Sequence, residues 1–564
     1  MAGLVVTMLL VPQSLAYAML AGLPPHVGMY ATILPLVAYA LFGPSRTLSA
    51  GPVAVASLMT AAAVTPLAAP GSAEYVVLAT LLALIGGVML LLFGVLRMGF
   101  VANLLSHPVI SGFVTGSAIL IALGQLKPLL GIPAKGETAF QLLASLLAKA
   151  GDLHVPTALL GVSAAILLWA SRRYLAGLLR HIGLHQKASE ILAKLAPMGV
   201  VLLSVALVAA LVLDTRRGVA VVGQIPAGLP SLQLALPSLG QVQALFVPAA
   251  MIALIGFVES VSVAQSLANK RGERINADAE LRGLGVANLA SAVSGGFPVT
   301  GGFARSVVNF AAGARTPLSG VISAALMAVV LLGMTALFER LPLAVLAATI
   351  IVAVVGLVDV ATARHAWHLD RADAVAWGGT ALGVLALGVE LGVGLGVALS
   401  IGTFLWRASR PHMAVVGRVP GTHHFRNEKR FEVETYPELL MVRIDERLFF
   451  ANIGSVLQRT EEELAHRPGV RHLVLDLSSV ADVDLTAVEA LQRLHVDLRQ
   501  RGIELHLAEV RGPVMDRLGH TDWPGQLTHP PFLNLHQAVG GLVPASPRDP
   551  DAPTAQAEPA RSTA

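Results

Sequence analysis

Long apolar blocks separated by short polar connectors extend from residue 3 to about residue 408. A helix that crosses a bilayer needs about 20 mostly apolar residues. Dividing the region at its connectors predicts about fourteen spans, with centres near residues 12, 33, 59, 85, 112, 164, 206, 255, 287, 307, 328, 350, 379 and 398. The pattern therefore predicts a polytopic α-helical membrane domain at 1–408.

Beyond about residue 411 the charged and polar positions become as frequent as in soluble domains. Residues 412–543 alternate strand-like and helix-like segments, which is typical of an α/β layer. The predicted strands are 439–444, 473–477 and 503–507, and the predicted helices are 453–465 and 486–500. Residues 544–564 are rich in Pro, Ala, Asp and Ser, and we expect them to form a disordered tail.

Composition supports the membrane assignment and excludes several classes of function. The chain is 55% hydrophobic and only 13% charged, whereas soluble proteins have about 25% charged residues. It has no cysteine, so disulfides, thiolate chemistry and cysteine metal sites are excluded. A net charge of +4 gives no indication of a nucleic-acid partner. No acid–base or nucleophile constellation is visible, so we predict no enzymatic activity, no metal and no organic cofactor.

Loop charge predicts the orientation. An even number of spans places both chain ends on one side of the membrane. If that side is the cytoplasm, the inner loops carry 14 Lys and Arg and the outer loops carry 6, with Arg216 and Arg217 on the unexpected side. We therefore expect a multi-pass protein of the bacterial-type inner membrane with a cytoplasmic α/β domain. The chain enters an apolar run at Gly3 without a polar arm or a charged leader, so we expect no cleavable signal and a start that is either truncated or misassigned.

The two halves of the membrane domain, about 1–215 and 244–408, correspond to each other. The third span of each half is short and opens with small residues, after Ser49-Ala50-Gly51-Pro52 in the first half and after Pro298-Val299-Thr300-Gly301-Gly302 in the second. Because seven spans per repeat is an odd number, the second copy must be inverted. Paired broken helices at matching positions are a sequence indication of a transporter's central site.

A helix that begins inside the membrane leaves its first amide groups without partners. Together with the helix dipole, these amides form a positive end that suits a small anion. Glycine lets such an anion approach the backbone closely. In the alternative interpretation, Gly51, Pro52, Gly301 and Gly302 only permit tight helix crossing.

Polar side chains inside the spans are further candidates, since charges within a membrane are costly and usually functional. Arg305 would add positive potential at the anion, or else pair with a structural carboxylate or extend to the cytoplasmic face. Glu259 could bind a proton or a cation during transport, with Ser260 and Ser262 as oxygen partners, or could form a structural salt bridge with Arg305.

The first span contains a polar interruption. Pro12 frees a backbone carbonyl, Gln13 offers donor and acceptor groups, and Tyr17 follows one turn later. These groups could line the pocket from the side, and a kink that serves helix packing is the alternative.

Specific motifs resemble the SulP family of anion transporters over nearly the whole chain. They include VPQSLAYAMLAGLPP at 11–25, GPSRTLSAGPVAVASL at 43–58 and SGGFPVTGGFARSVVN at 294–309. The resemblance implies a seven-plus-seven inverted repeat in which a core domain (spans 1–4 and 8–11) moves against a gate domain (spans 5–7 and 12–14). It also implies a homodimer and a substrate such as sulfate, bicarbonate, chloride or a dicarboxylate.

Transferred residue by residue, the family's anion site comprises Gln13, Tyr17, Gly51, Pro52, Val53, Ala54, Thr300, Gly301, Gly302, Phe303, Ala304 and Arg305. Glu259 matches the position where some relatives bind sodium with an acid, and a glutamate favours proton coupling at least as well. Ala304 stands where some relatives carry a hydroxyl, so the backbone amides would contribute more of the anion recognition.

The run DLSSVADVDLTA at 476–487 resembles the signature loop of STAS domains. In that family a hydroxyl residue near the helix start can be phosphorylated, and Thr486 matches that neighbourhood. The alternative is that Thr486 caps the helix.

The sequence thus predicts a secondary anion transporter, with proton symport favoured over sodium symport, exchange or a channel. A membrane sensor that does not transport, and a nucleobase carrier on the same fold, are the other hypotheses. The STAS-like domain argues against the nucleobase carrier.

Overall fold

The computed structural model describes residues 2–100, 106–136, 138–232 and 236–543. The predicted disordered tail, 544–564, lies outside the described residues. The chain divides into two compact units, one that ends at Ile401 and one that begins at Gly402. The boundary lies within the helix Val389–Ala408, most of which belongs to the first unit.

Helices dominate the first unit, and two very short strands interrupt them. The strands are β1 (Ala50–Gly51) and β2 (Thr300–Gly301). The helices are α1 (Ala2–Leu20), α2 (Pro25–Phe42), α3 (Ala54–Val64), α4 (Ala73–Val95), α5 (His107–Leu130), α6 (Ala139–Ala148), α7 (Val155–Ala170), α8 (Ala176–His181), α9 (Gln186–Leu211), α10 (Leu213–Arg217), α11 (Leu239–Asn269), α12 (Ala277–Val293), α13 (Phe303–Ala311), α14 (Leu318–Gly333), α15 (Leu343–Val355), α16 (Val360–Leu369), α17 (Arg371–Leu387) and α18 (Val389–Ala408).

Each predicted span centre falls within a helix. The centres of the two short spans, at residues 59 and 307, fall within α3 and α13. In the part of the chain that the structure describes, seven helical segments are long and apolar enough to cross a membrane, and several shorter apolar helices accompany them. Four connecting helices, α6, α8, α10 and α16, were not predicted. They have only 5–10 residues, so they are too short to produce a hydrophobic block of spanning length.

The helices pack as two sets that follow the repeat. α1–α4 pack with α11–α14, and α5, α7 and α9 pack with α15 and α17. Within the first set, α12 lies against α2 and α4, and the Tyr39 hydroxyl of α2 donates a hydrogen bond of 2.7 Å to Glu280 of α12. These sets are the core and the gate of an inverted-repeat fold, as the family resemblance implies.

The second unit is a five-stranded mixed sheet with helices on its faces. Its strands are β3 (Met413–Arg418), β4 (Phe425–Asn427), β5 (Leu439–Ile444), β6 (His472–Asp476) and β7 (Glu504–Ala508), in the order β4-β3-β5-β6-β7. The helices are α19 (Ile453–Ala465), α20 (Leu485–Gln500), α21 (Gly512–Leu518) and α22 (Leu535–Leu542). The three predicted strands and two predicted helices lie within one residue of their predicted bounds at each end.

The cap of α20 differs from the sequence-based alternative. Asp484 is the N-cap, and its carboxylate accepts hydrogen bonds from the amides of Ala487 and Phe450, both at 2.8 Å. Thr486 is an exposed residue in the first turn. Thr486 therefore does not cap the helix. Its phosphorylation stays a prediction that its exposure permits.

Replacement of Asp484 by alanine should destabilise the second unit by about 1–2 kcal/mol, because α20 loses its cap and the Phe450 amide loses its acceptor. Hydrogen exchange of the α20 amides in the full-length chain measures the effect. Thr486→Ala is the matched control, and we expect exchange at the wild-type rate. Equal acceleration in both variants would contradict the assignment of the cap.

Candidate functional site

The short helices α3 and α13 begin at the same place in the core. β1 and β2 precede them and pair antiparallel, so that Ala50 lies opposite Gly301 and Gly51 opposite Thr300. The Gly302 amide also donates to the Ser49 carbonyl at 3.2 Å. This pairing brings together two segments that are about 250 residues apart in the chain, and it places both helix N-termini side by side.

Buried polar side chains hold the crossing in place. The Ser306 hydroxyl accepts from the Ser49 amide at 3.0 Å and donates to the Gly302 carbonyl at 2.7 Å. The Ser260 hydroxyl of α11 accepts from the Gly301 amide at 2.8 Å. The Asn309 amide donates to the Thr47 carbonyl at 3.0 Å. Since Ser260, Ser306 and Asn309 are each at most 3% exposed, these bonds are shielded from water.

Neither short helix has a side-chain cap. The N-cap residues are Val53 for α3 and Gly302 for α13, and neither makes a capping hydrogen bond. The first-turn amides therefore lack the partner that capping residues such as Ser72 of α4 provide elsewhere in this chain. Val53 and Ala54 are buried, whereas Phe303 and Ala304 are exposed. The α13 tip thus presents an accessible, electropositive end.

Arg305 lies in the first turn of α13 and is only 2% exposed. Its guanidinium donates to the Pro52 carbonyl at 2.5 Å and to the Ser49 carbonyl at 3.5 Å, while its Nε has no partner among the described residues. Both alternatives from the sequence are wrong, because Arg305 neither pairs with a carboxylate within the described residues nor extends to a membrane face. It joins the two repeats and leaves fixed positive charge beside both helix ends.

Gly302→Ala should disrupt this arrangement. A Cβ at Gly302 would lie 2.8 Å from a terminal nitrogen of Arg305 and 3.0 Å from its Cζ, so the guanidinium would have to move. We expect a destabilisation of about 1–3 kcal/mol and reduced anion binding, measured by thermal unfolding and by isothermal titration.

Gly378→Ala in α17 is the matched control for Gly302→Ala, because a Cβ there would meet no atom within 4 Å. It should leave both measurements unchanged. Wild-type behaviour of Gly302→Ala would show that close packing of Arg305 is not required.

The first helix lies against both short helices. α1 continues through Pro12 to Leu20, so the proline does not end it. Tyr17 is buried and within electrostatic range of Arg305 and Glu259, and Gln13 is half-buried one turn earlier. The structure therefore brings α1 and Tyr17 to the side of the crossing, and a role of Gln13 in the pocket stays a prediction.

Glu259 of α11 is half-buried and faces the gate helices. It lines a cavity of about 30 Å³ with Phe113 of α5, Thr380 of α17 and Val397 of α18. That volume suits one or two water molecules or a small cation. Within the described residues, Glu259 forms no ion pair with Arg305, although their charges interact. A structural salt bridge between them is therefore excluded.

The two serines predicted as oxygen partners of Glu259 have other roles. Ser260 holds β2, as described above, and Ser262 is exposed and donates to the Val258 carbonyl of its own helix at 2.7 Å. Ser260 points away from Glu259 because adjacent helix positions differ in direction by about 100°. Ser262 lies three residues after Glu259 and shares its side of the helix, but its hydroxyl is used by the backbone of its own helix.

A larger cavity of about 640 Å³ separates the core from the gate at the C-terminal ends of α1 and α3. Core residues such as Ala16 and Leu58 line one side, and gate residues such as Leu120 and Leu346 line the other. Lys127 is the one charged side chain of the lining among the described residues. The cavity provides room for solute on the side where both helices end.

Sequence reasoning missed Ser49, Ser306 and Asn309. The hydroxyl of Ser49 and the Oδ1 of Asn309 are buried without a partner among the described residues. Asn309 follows Arg305 by four residues and therefore shares its helix face. That spacing of two polar residues in a short membrane helix was the available signal.

Comparison with known proteins agrees with this geometry. The chain matches the model of the sulfate permease family over residues 1–380 and that of the STAS domain over residues 430–538. It is 36% identical over 525 residues to a probable sulfate transporter of Mycobacterium tuberculosis strain H37Rv, covering 92% of this chain and 90% of the relative. It is 34% identical over 560 residues to sulfate transporter 4.1, chloroplastic, of Arabidopsis thaliana, covering 96% and 79%.

Two solved structures resemble the chain. Murine solute carrier 26 family member A9, an anion transporter in the inward-facing state, superposes with a TM-score of 0.86 at 21% identity over 96% of this chain and 90% of that one. The transmembrane domain of the cyanobacterial bicarbonate transporter BicA gives 0.58 at 25% identity, over 71% and 96%. The first likeness shows the common fold of the membrane and STAS units.

Proposed function

Since the chain belongs to the sulfate permease family, we propose that it is a secondary active transporter which carries a small inorganic or carboxylic anion by proton-coupled symport and alternating access. The observation that carries the proposal is the crossing of β1 and β2, where two uncapped helix N-termini lie beside the buried guanidinium of Arg305. Such a site binds negative charge without a metal or a mobile cation.

The substrate class follows from the kind of contact that the site offers. Backbone amides and one guanidinium recognise oxyanions by hydrogen bonds and charge. Sulfate, bicarbonate and dicarboxylates all present such oxygens, and the relatives named above are sulfate and bicarbonate transporters. We place sulfate first because one of the sequence relatives described is named a sulfate transporter and the other a probable sulfate transporter.

Proton coupling rests on Glu259. It is the half-buried acid of α11, it faces the gate, and it lies within electrostatic range of the anion site. A carboxyl group at a boundary between moving parts can take up a proton on one side and release it on the other. Protonation there would also offset the charge of the bound anion.

The deciding experiment is uptake of labelled anions into proteoliposomes, with the pH and sodium gradients imposed separately. We expect sulfate to accumulate against its gradient when the outside is acidic and sodium is absent. Accumulation that requires sodium would favour sodium symport, and uptake that requires an internal anion would favour exchange. Downhill flux that neither gradient changes would indicate a channel and would overturn the proposal.

The cellular setting belongs to the same proposal. We place the protein in a bacterial-type inner membrane as a homodimer, with the N-terminus and the STAS domain in the cytoplasm. Accessibility labelling of single introduced cysteines tests the orientation cleanly, because the native chain has none.

A further inference from the structure

One cluster of side chains in the STAS domain has the composition of a metal site. His472 is the first residue of β6, and Glu504 lies opposite it as the first residue of the neighbouring parallel strand β7. His506 follows Glu504 by two residues, so it projects from the same face of the sheet. The register of β6 and β7 therefore gathers two imidazoles and one carboxylate on one face.

The distances between the three potential ligand atoms form a nearly regular triangle. His472 Nδ1 lies 3.2 Å from His506 Nε2, and Glu504 Oε2 lies 3.5 Å from the first nitrogen and 3.6 Å from the second. Tetrahedral zinc has bonds of about 2.0–2.2 Å to nitrogen and oxygen, which sets its ligands about 3.3–3.6 Å apart. We propose that His472, Glu504 and His506 bind a divalent transition metal ion of the Zn²⁺ class.

The burial of His506 is a second, independent observation. The residue is fully buried, and its Nδ1 has no hydrogen-bond partner among the described residues. The other nitrogen, Nε2, faces His472 Nδ1 and Glu504 Oε2. The buried ring therefore directs this nitrogen toward the other two potential ligands.

The surroundings provide a fourth coordination position. The segment that ends at Phe532 runs beside β7, with hydrogen bonds of 2.8 and 2.9 Å to Leu507 and Glu509. It places the exposed His529 ring 5.9 Å from the His506 ring, between their centroids. Either His529 or a water molecule would complete a tetrahedron. The ion would then tie β6, the edge strand β7 and the covering segment together.

The test uses the full-length protein in detergent, stripped with a chelator and titrated with ZnCl₂ against a competing indicator dye. We expect one ion per chain in a site that Glu504→Gln or His472→Asn weakens by about 100-fold or more, since each variant removes one of three protein ligands. Both positions are partly exposed, so neither variant should prevent folding. Substitution with Co²⁺ should give the intense visible bands of tetrahedral coordination.

The matched control is His423→Asn. His423 and His536 form another histidine pair, with their Nδ1 atoms 3.4 Å apart. Among the described residues, this pair is not part of a three-ligand cluster. Binding should be unchanged in this control. The proposal fails if zinc binds the wild type no more tightly than Glu504→Gln, or if His423→Asn abolishes binding. Transport plays no part in these measurements, so they are independent of the proposed function.

Discussion

Replacement of Arg305 by alanine should weaken anion binding by about 10- to 100-fold, because one charged hydrogen-bonding group contributes about 1.5–3 kcal/mol. The guanidinium is buried beside both helix ends and holds the carbonyls of Pro52 and Ser49. Its loss removes the fixed positive charge and leaves those two carbonyls without this donor. The measurement is the dissociation constant for sulfate from isothermal titration of the purified protein.

Two further variants separate charge from architecture. Arg305→Lys keeps the charge but has a single ammonium group in place of the planar fork, so we expect partial affinity. Arg271→Ala removes an arginine that contacts Phe310 and the Ala314 carbonyl near the other end of α13, and affinity should be retained. Unchanged affinity in Arg305→Ala across several anions would restrict Arg305 to joining the repeats.

Replacement of Glu259 by glutamine should abolish the stimulation of uptake by an inward proton gradient. Glutamine keeps the shape of the side chain but cannot bind a proton. Exchange of labelled for unlabelled anion at equal concentrations requires no net proton movement. That exchange should stay within about threefold of wild type, which corresponds to less than 1 kcal/mol.

The control for Glu259→Gln is Glu273→Gln. Glu273 forms a partly exposed ion pair with Arg46, so its loss should leave both assays unchanged. If Glu259→Gln lost exchange and gradient-driven uptake to the same degree, the acid would serve anion binding or folding instead of coupling. Persistent stimulation by the proton gradient would exclude proton transfer at this position.

Much of the fold could be predicted because the membrane imposes a simple pattern on the sequence. The matching short spans pointed to α3 and α13, and their Gly and Pro residues marked where each begins. Strand β5 and helix α19 were predicted to the residue, since both are bounded by clear changes of periodicity. The short helices α6, α8, α10 and α16 escaped prediction, because a segment of one to three turns has no spanning length or lasting period.

The fine structure of the site could not be predicted from spacing alone. Nothing in the order of residues says that Arg305 binds backbone carbonyls of the other repeat in place of a carboxylate. Ser260 adjoins Glu259 in the chain, yet it turns toward Gly301 because adjacent helix positions differ in direction by about 100°. The three proposed metal ligands could likewise not be predicted, since their closeness depends on the register between β6 and β7.

The pairing of β1 with β2 also governs how the protein can be made. When the ribosome has released the first repeat, Ala50 and Gly51 have no strand beside them, and the start of α3 lacks the start of α13 next to it. The partner strand is completed only about 250 residues later. The first half of the anion site must therefore stay incomplete in the translocon or the lipid until the second half of the polypeptide has been inserted.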